Sequence, residues 1–226
     1  MSTVEKRLGE VRARLTAAEA QAGRAPGSVT LVAVSKGQPA SAVAEAYAAG
    51  QRDFGENYAQ ELRDKARELA GLKELRWHFL GPLQTNKVKY VTPVTVMLHA
   101  LDRVELATAL GERLTRDGRT LDVLLEVNVG SEANKHGVSP AQAPALLEAV
   151  RGVPALRVVG LMCVPPQRED LRETQADFAA LAALARRLGL PQLSMGMSHD
   201  FEVAVAQGAT LVRVGTAIFG ARPNKG

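Results

Sequence analysis

The sequence predicts a single (β/α)8 barrel of the TIM type, an α/β fold, with one extra helix at its N-terminus. Three observations point to it. Eight short runs rich in Val, Leu and aromatic residues recur along the chain, helical stretches with their own start and stop signals separate them, and no Pro- or Ser-rich linker or shift in composition divides residues 1–226. Alternation of strand and helix builds a parallel sheet covered by helices, and eight such units can close on themselves. With 226 residues the barrel has to be compact, since typical ones run to about 250. An open, doubly wound sheet is the alternative arrangement of the same alternation.

In the opening segment Val4, Leu8, Val11 and Leu15 stand at helical spacing, behind a Ser2 to Glu5 capping box and ahead of Gly23, so this helix packs one face. The first strand is read at 30–35, with a helix from Pro39 to Gly50, and the second at 52–55, with a helix from Tyr58 to Gly71. The third, 76–80, leads to a short helix over 84–90. The fourth, 95–100, leads to a helix with Asp102 and Glu105 as its capping box and Gly118 at its end. After the fifth strand, 122–128, Ser139-Pro140 opens a helix that stops at Gly152. The sixth, 157–162, precedes the longest helix of the repeat, about 170–188, which sets Leu171, Phe178, Leu181 and Leu188 on one side. The seventh, 192–195, enters a short helix at 201–207, and 211–214 ends the series. Pro suits a first helical turn and Gly a C-terminal stop.

Apolar residues make up 46% of the chain and charged residues 23%, a balance that can bury a core and excludes a disordered chain. The net charge of +4 is too small to argue for nucleic acid. Neither Asn86-Lys-Val-Lys89 nor Arg222-Pro-Asn-Lys225 carries the interleaved aromatic platforms that single strands stack upon. Cys163 is the single cysteine, so there is no intramolecular disulfide and no cysteine-rich zinc site, and a reducing cytoplasm is the expected compartment. The N-terminus lacks the apolar core of a signal peptide, and no stretch is long and apolar enough to span a bilayer. No large exposed apolar face stands out in the pattern.

Function in such a barrel sits at the C-terminal ends of the strands, and the polar residues collect there. Lys36 ends the first apolar run, ahead of Gly37 and Pro39. An ammonium at the tip of a buried strand must be paired, solvated or deprotonated, and a desolvated lysine is the type that forms Schiff bases with carbonyl compounds. Glu56 and Asn57 follow the second run, and His78 stands in the third, ahead of Gly81-Pro-Leu-Gln-Thr-Asn86. Ser194-Met-Gly-Met-Ser198 and Arg213-Val-Gly-Thr216 end the last two runs, each leading out through a glycine, in the position where barrels bind phosphate. Arg213, between Val212 and Val214, is either a cation facing a ligand or half of an ion pair under a loop. A lysine for an aldehyde, backbone and hydroxyls for a phosphate and an arginine for a pyridine nitrogen are the three handles of pyridoxal phosphate (PLP).

These segments, namely Ala33-Val-Ser-Lys36, Phe54-Gly-Glu-Asn-Tyr58, Trp77-His-Phe-Leu-Gly-Pro-Leu-Gln84, Gly160-Leu-Met162, Ser194-Met-Gly-Met-Ser198 and Val212-Arg-Val-Gly-Thr-Ala-Ile-Phe-Gly220, resemble the pyridoxal phosphate homeostasis proteins, the YggS/PROSC family, along nearly the whole chain. The resemblance implies a fold type III barrel similar to the N-terminal barrel of alanine racemase. It implies PLP bound to Lys36 as an internal aldimine, Arg213 facing the pyridine nitrogen, Ser198, Gly215 and Thr216 on the phosphate, and Asn57 and His78 bordering the ring. It also implies a monomeric cytoplasmic carrier that stores PLP and passes it transiently to apo-enzymes, with no catalytic residues of its own and no metal. The alternative is a PLP enzyme of the alanine racemase type, a racemase or lyase. Racemisation needs a second acid/base group, and of the three tyrosines only Tyr58 stands near the site, with helix packing as its expected role. His199 departs from the small or acidic residue expected after Met-Gly-Met-Ser and is read as a solvated histidine beside Asp200. Lys135, in the loop after the fifth strand, is read as a solvated lysine.

Overall fold

The computed structural model describes residues 2–130, 136–166, 168 and 170–221. Among them, eight parallel strands close into a barrel in chain order. They are β1 (Thr30–Val34), β2 (Asp53–Glu56), β3 (Arg76–Phe79), β4 (Thr95–Leu101), β5 (Leu121–Glu126), β6 (Leu156–Met162), β7 (Gln192–Ser194) and β8 (Leu211–Val214). Pairing of β1 with β8, Leu31 opposite Val212 and Val32 opposite Arg213, completes the ring and rules out the open sheet. The helices are α1 (Thr3–Gln21), α2 (Ala40–Ala48), α3 (Ala59–Glu68), α4 (Val88–Val91), α5 (Val104–Arg116), α6 (Ala143–Arg151), α7 (Leu171–Leu188), α8 (Phe201–Ala206) and α9 (Thr216–Phe219).

Helix α1 lies outside the repeat. Its capping box forms as expected, with Ser2 Oγ accepting from the Glu5 N–H at 3.1 Å and the Glu5 carboxylate accepting from the Ser2 N–H at 3.2 Å. Its face of Val4, Leu8, Val11 and Leu15 is buried, and the helix packs on α2, α8 and α9. Near its end the buried Glu19 accepts from the Gly27 and Val29 N–H groups, which fixes the approach to β1. Two helix starts differ from expectation. Arg103, not Asp102, precedes α5, and Asp102 instead accepts from Arg103 Nη1 at 2.6 Å, so its carboxylate is not available as a cap. Helix α6 begins at Ala143 because Ser139 and Gln142 close a local turn on each other, and Pro144 supplies the first-turn proline.

Successive strand side chains point to opposite faces, which divides the interior in two. Phe54, Trp77, Phe79, Leu98, Leu161 and Val212 point outward and join Leu62, Leu110, Phe178 and Phe201 of the helices in one apolar layer. Each such side chain contributes about 1.5–3 kcal/mol when fully buried. The alternate positions face the lumen. There, Ala100, Leu124 and Met162 make a second, small apolar cluster, and Asp53, His78, His99, Ser194 and Arg213 are buried polar residues; the adjacent His99 and Ala100 can share this face because the register of β4 on β5 shifts between Leu98 and Leu101.

Candidate functional site

At the C-terminal end of the barrel, Lys36 lies two residues beyond β1, half-buried. It lines a cavity of about 260 Å³ together with Asn57, Arg213, Gly215 and Thr216, and Val34, Leu80, Val164 and Met197 form the apolar walls. Five of the seven residues expected at the site therefore meet in one cavity.

The turn that carries Lys36 is held from α3. Gly37, at φ 72°, takes a left-handed conformation that favours glycine, and its N–H donates to Glu61 Oε1 at 2.7 Å. Lys65 Nζ donates to the Ser35 carbonyl, to Glu56 Oε1 and to Glu61 Oε1, each at 2.7 Å. Ser35 Oγ also donates to Glu56 Oε1 at 2.7 Å. Burial raises the Glu56 carboxyl above its ordinary pKa, with the Lys65 cation acting against it. Both neighbours of Lys36 in the chain are thus pinned by a buried cluster of charges.

Asn57 Oδ1 is buried without a hydrogen-bond partner. Buried acceptors are nearly always paired, so an orphan on a cavity wall fits a ligand that donates to it. The Asn57 loop is packed tightly, since a Cβ on Gly81 would collide with the Asn57 backbone carbonyl. Arg213 is buried in the lumen beneath the cavity, where Nη1 donates to Ser194 Oγ at 2.6 Å and Nη2 to the Cys163 carbonyl at 2.9 Å. Burial lowers its pKa below the arginine norm, against the pull of Cys163, Glu126 and Asp200. Guanidinium has five donors, so donors remain for the cavity side. Thr216 Oγ1 donates to Ser198 Oγ at 3.3 Å, joining the loops after β7 and β8. Asp200 Oδ1 accepts from the Met197 N–H at 2.5 Å and fixes the first of these loops, while His199, partly exposed, lies 3.3 Å from Asp200. Lys135 lies outside the described residues.

Ser198 and His78 are the two expected residues that do not line the Lys36 cavity; Ser198 is bonded to Thr216, which does, whereas His78 stands apart. Its ring is buried in the lumen, 2.9 Å from His99 Nε2 and 3.0 Å from Asp53 Oδ1. The reason is the pleat. Leu80, two residues on and on the same face, occupies the wall position that the sequence reading assigned to His78. Glu126 was not anticipated. It ends β5 facing an adjoining cavity that shares Asn57, Leu80 and Val164 with the Lys36 cavity. Burial, reinforced by Asp102 and opposed by Arg213, raises its carboxyl to about 7. Its place at the end of the apolar run 121–126 is the signal that could have found it. A third recess beside Asn57 is lined by Tyr58, Gln84, Lys87, Arg103 and His136.

The family model for the N-terminal domain of alanine racemase matches residues 7–223. A Pseudomonas aeruginosa protein named pyridoxal phosphate homeostasis protein is 48% identical over 224 residues, covering 98% of this chain and 97% of the relative. The Escherichia coli K12 protein of the same name is 43% identical over 229 residues, covering 98% of both. Among solved structures, PipY of Synechococcus elongatus without PLP superposes with a TM-score of 0.86 at 40% identity, covering 96% of this chain and all of that one. The PLP-bound form of PipY gives 0.82 at 38% identity over the same shares. Alanine racemase from Corynebacterium glutamicum, at 21% identity and a TM-score of 0.66, shares the barrel. The chain therefore belongs to the pyridoxal phosphate homeostasis protein family and is built on the alanine racemase N-terminal domain.

Proposed function

We propose that this protein binds pyridoxal 5'-phosphate at Lys36 and holds the cofactor for delivery to apo-enzymes, as a one-domain carrier of the cytoplasm. The observation that carries this reading is the convergence of Lys36, Asn57, Arg213, Gly215 and Thr216 on one cavity. The names of the full-length relatives and the PLP-bound relative support it. When bound, PLP supplies an aldehyde that reacts with amines and a ring that withdraws electrons from the attached group. In this reading Lys36 would be the amine that attaches it, Asn57 Oδ1, which has no protein partner, and the Arg213 guanidinium would orient the ring, and Ser198, Gly215 and Thr216 would hold the phosphate. An arginine keeps its own protons, so Arg213 opposite the pyridine nitrogen would leave that nitrogen unprotonated and the electron sink weak. A weak sink suits storage.

The tyrosines are placed in keeping with a carrier. Tyr47 and Tyr90 pack on the apolar layer, and the exposed Tyr58 faces the neighbouring recess. Among the described residues no helix is long and apolar enough to cross a membrane. The test is an absorbance spectrum of the purified protein, then borohydride reduction and peptide mapping. PLP is expected on Lys36, and a reduced adduct retained at the same site in Lys36→Ala refutes the assignment. The second reading, a racemase or lyase, draws on Glu126, a carboxyl raised to about 7 beside the cavity. Alanine turnover lost in Lys36→Ala would establish it.

A further inference from the structure

A row of polar side chains from five strands runs through the lumen beneath the Lys36 cavity. At its outer end Arg76, half exposed, grips Asp53 through Nε and Nη2 at 2.7 and 2.5 Å. Asp53 Oδ1 lies 3.0 Å from His78 Nε2, and His78 Nδ1 lies 2.9 Å from His99 Nε2. His99 Nδ1 lies 2.8 Å from Ser194 Oγ, which accepts from Arg213 Nη1 at 2.6 Å. His78, His99, Ser194 and Arg213 are all buried.

The two ends set the direction of the row. Arginine can only donate and an ionised carboxylate can only accept. Burial acts to raise the Asp53 carboxyl, but its bonds to His78 and Arg76 prevail and bring it to about 2. Between these ends one arrangement gives every proton an acceptor: Ser194 O–H to His99 Nδ1, His99 Nε2–H to His78 Nδ1, and His78 Nε2–H to Asp53. The opposite polarity turns both Arg213 and His99 into donors to Ser194 Oγ and leaves the serine proton without an acceptor in the row, the costly case for a buried group. Burial, with His78 and Arg213 nearby, holds His99 well below the usual imidazole range, in keeping with a neutral ring. Because Arg213 does not give up its protons, the row cannot pass one into the cavity. It orients rather than conducts.

We infer that Asp53, His78, His99 and Ser194 are positioning residues for Arg213: the one-way row anchors Nη1 on the lumen side and thereby sets how the remaining guanidinium donors meet the ring nitrogen of the cofactor, a role that rests on the PLP reading above. Ser194 reads as the hinge of the device, because its hydroxyl is the one member that both accepts from Arg213 and donates into the row.

The test begins with the full-length protein, free of cofactor and labelled with 15N-histidine. His78 and His99 are expected to carry their protons on Nε2, and a proton on His99 Nδ1 overturns the inference without any variant. In Asp53→Asn the carbonyl goes to Arg76 and the amide faces His78, which reverses the row. Both imidazole protons are then expected on Nδ1, PLP binding weakens about tenfold, and the absorbance band of the bound cofactor shifts. Ser194→Thr, which keeps the hydroxyl, is expected to retain the wild-type band. Reversed tautomers with unchanged affinity and band overturn the inference, as does a lowered melting temperature with tautomers and band unmoved, the mark of a merely structural role. Should wild-type protein bind no PLP, the functional reading fails by itself, because the tautomers are measured without cofactor and judge the row independently.

Discussion

Replacing Lys65 by methionine tests the support beneath Lys36. Lys65 is 5% exposed and its three ammonium protons are all used, on Ser35, Glu56 and Glu61. Methionine nearly matches the stem in length but removes the charge. Glu56, fully buried, then keeps only the Ser35 hydroxyl, since its Oε2 has no partner. Removing one member of a buried pair costs about 3–5 kcal/mol. Glu56 can limit this loss by binding a proton, and its folded pKa, already raised by burial, rises further once the cation is gone. A raised folded pKa favours the folded state at low pH and loses that benefit as pH climbs, so the variant should suffer more at pH 8 than at pH 5. The assay is urea unfolding followed through Trp77, the single tryptophan, buried 6.0 Å from Phe54. With an m-value of about 3 kcal/mol/M, the midpoint should fall by about 1 M at pH 8. A loosened Ser35–Gly37 turn should also lower the yield of borohydride-trapped PLP on Lys36. A midpoint within about 0.3 M of wild type at pH 8 would refute the reasoning.

Two further outcomes follow from single contacts. Gly81→Ala drives a methyl into the Asn57 carbonyl, and overpacking of this kind costs about 1–3 kcal/mol; a melting curve and a PLP titration should both shift, and wild-type values in both would mean that the two loops do not bear on each other. Glu126, raised from 4.5 to about 7, contributes stability that is complete below its unfolded pKa and lost as pH rises through about 7. Glu126→Gln should therefore gain up to about 3 kcal/mol relative to wild type between pH 4.5 and 8, and a pH-independent difference in urea midpoint would contradict that.

The strand ends were legible because apolar runs are local. Lys36, Asn57, Arg213, Gly215 and Thr216 could be named from their places at or beyond those ends, and the barrel brings all five to one cavity. The Ser2 to Glu5 capping box was equally legible, as both partners lie within one helical turn. Asp102 and Glu105 matched the same pattern without forming it, because the adjacent Arg103 engages the aspartate. No pattern reveals which rival partner a side chain takes. His78 was legible as a strand residue, but not that its ring turns into the lumen toward His99 and Asp53, because both partners come from other strands.

By itself, then, the sequence determined the alternation that makes a barrel, the end of it where the candidate site lies, and the cation, hydroxyl and amine chemistry gathered there, because each depends on neighbours a few residues apart. Only the tertiary structure decided what stands beneath that site. His78, His99 and Ser194 come from three strands, and His99 and Ser194 are 95 residues apart. Closure of the ring and the inward turn of alternate side chains bring them within hydrogen-bonding distance of each other and of Arg213, so that the row runs between a group that only donates, Arg213, and one that only accepts, Asp53.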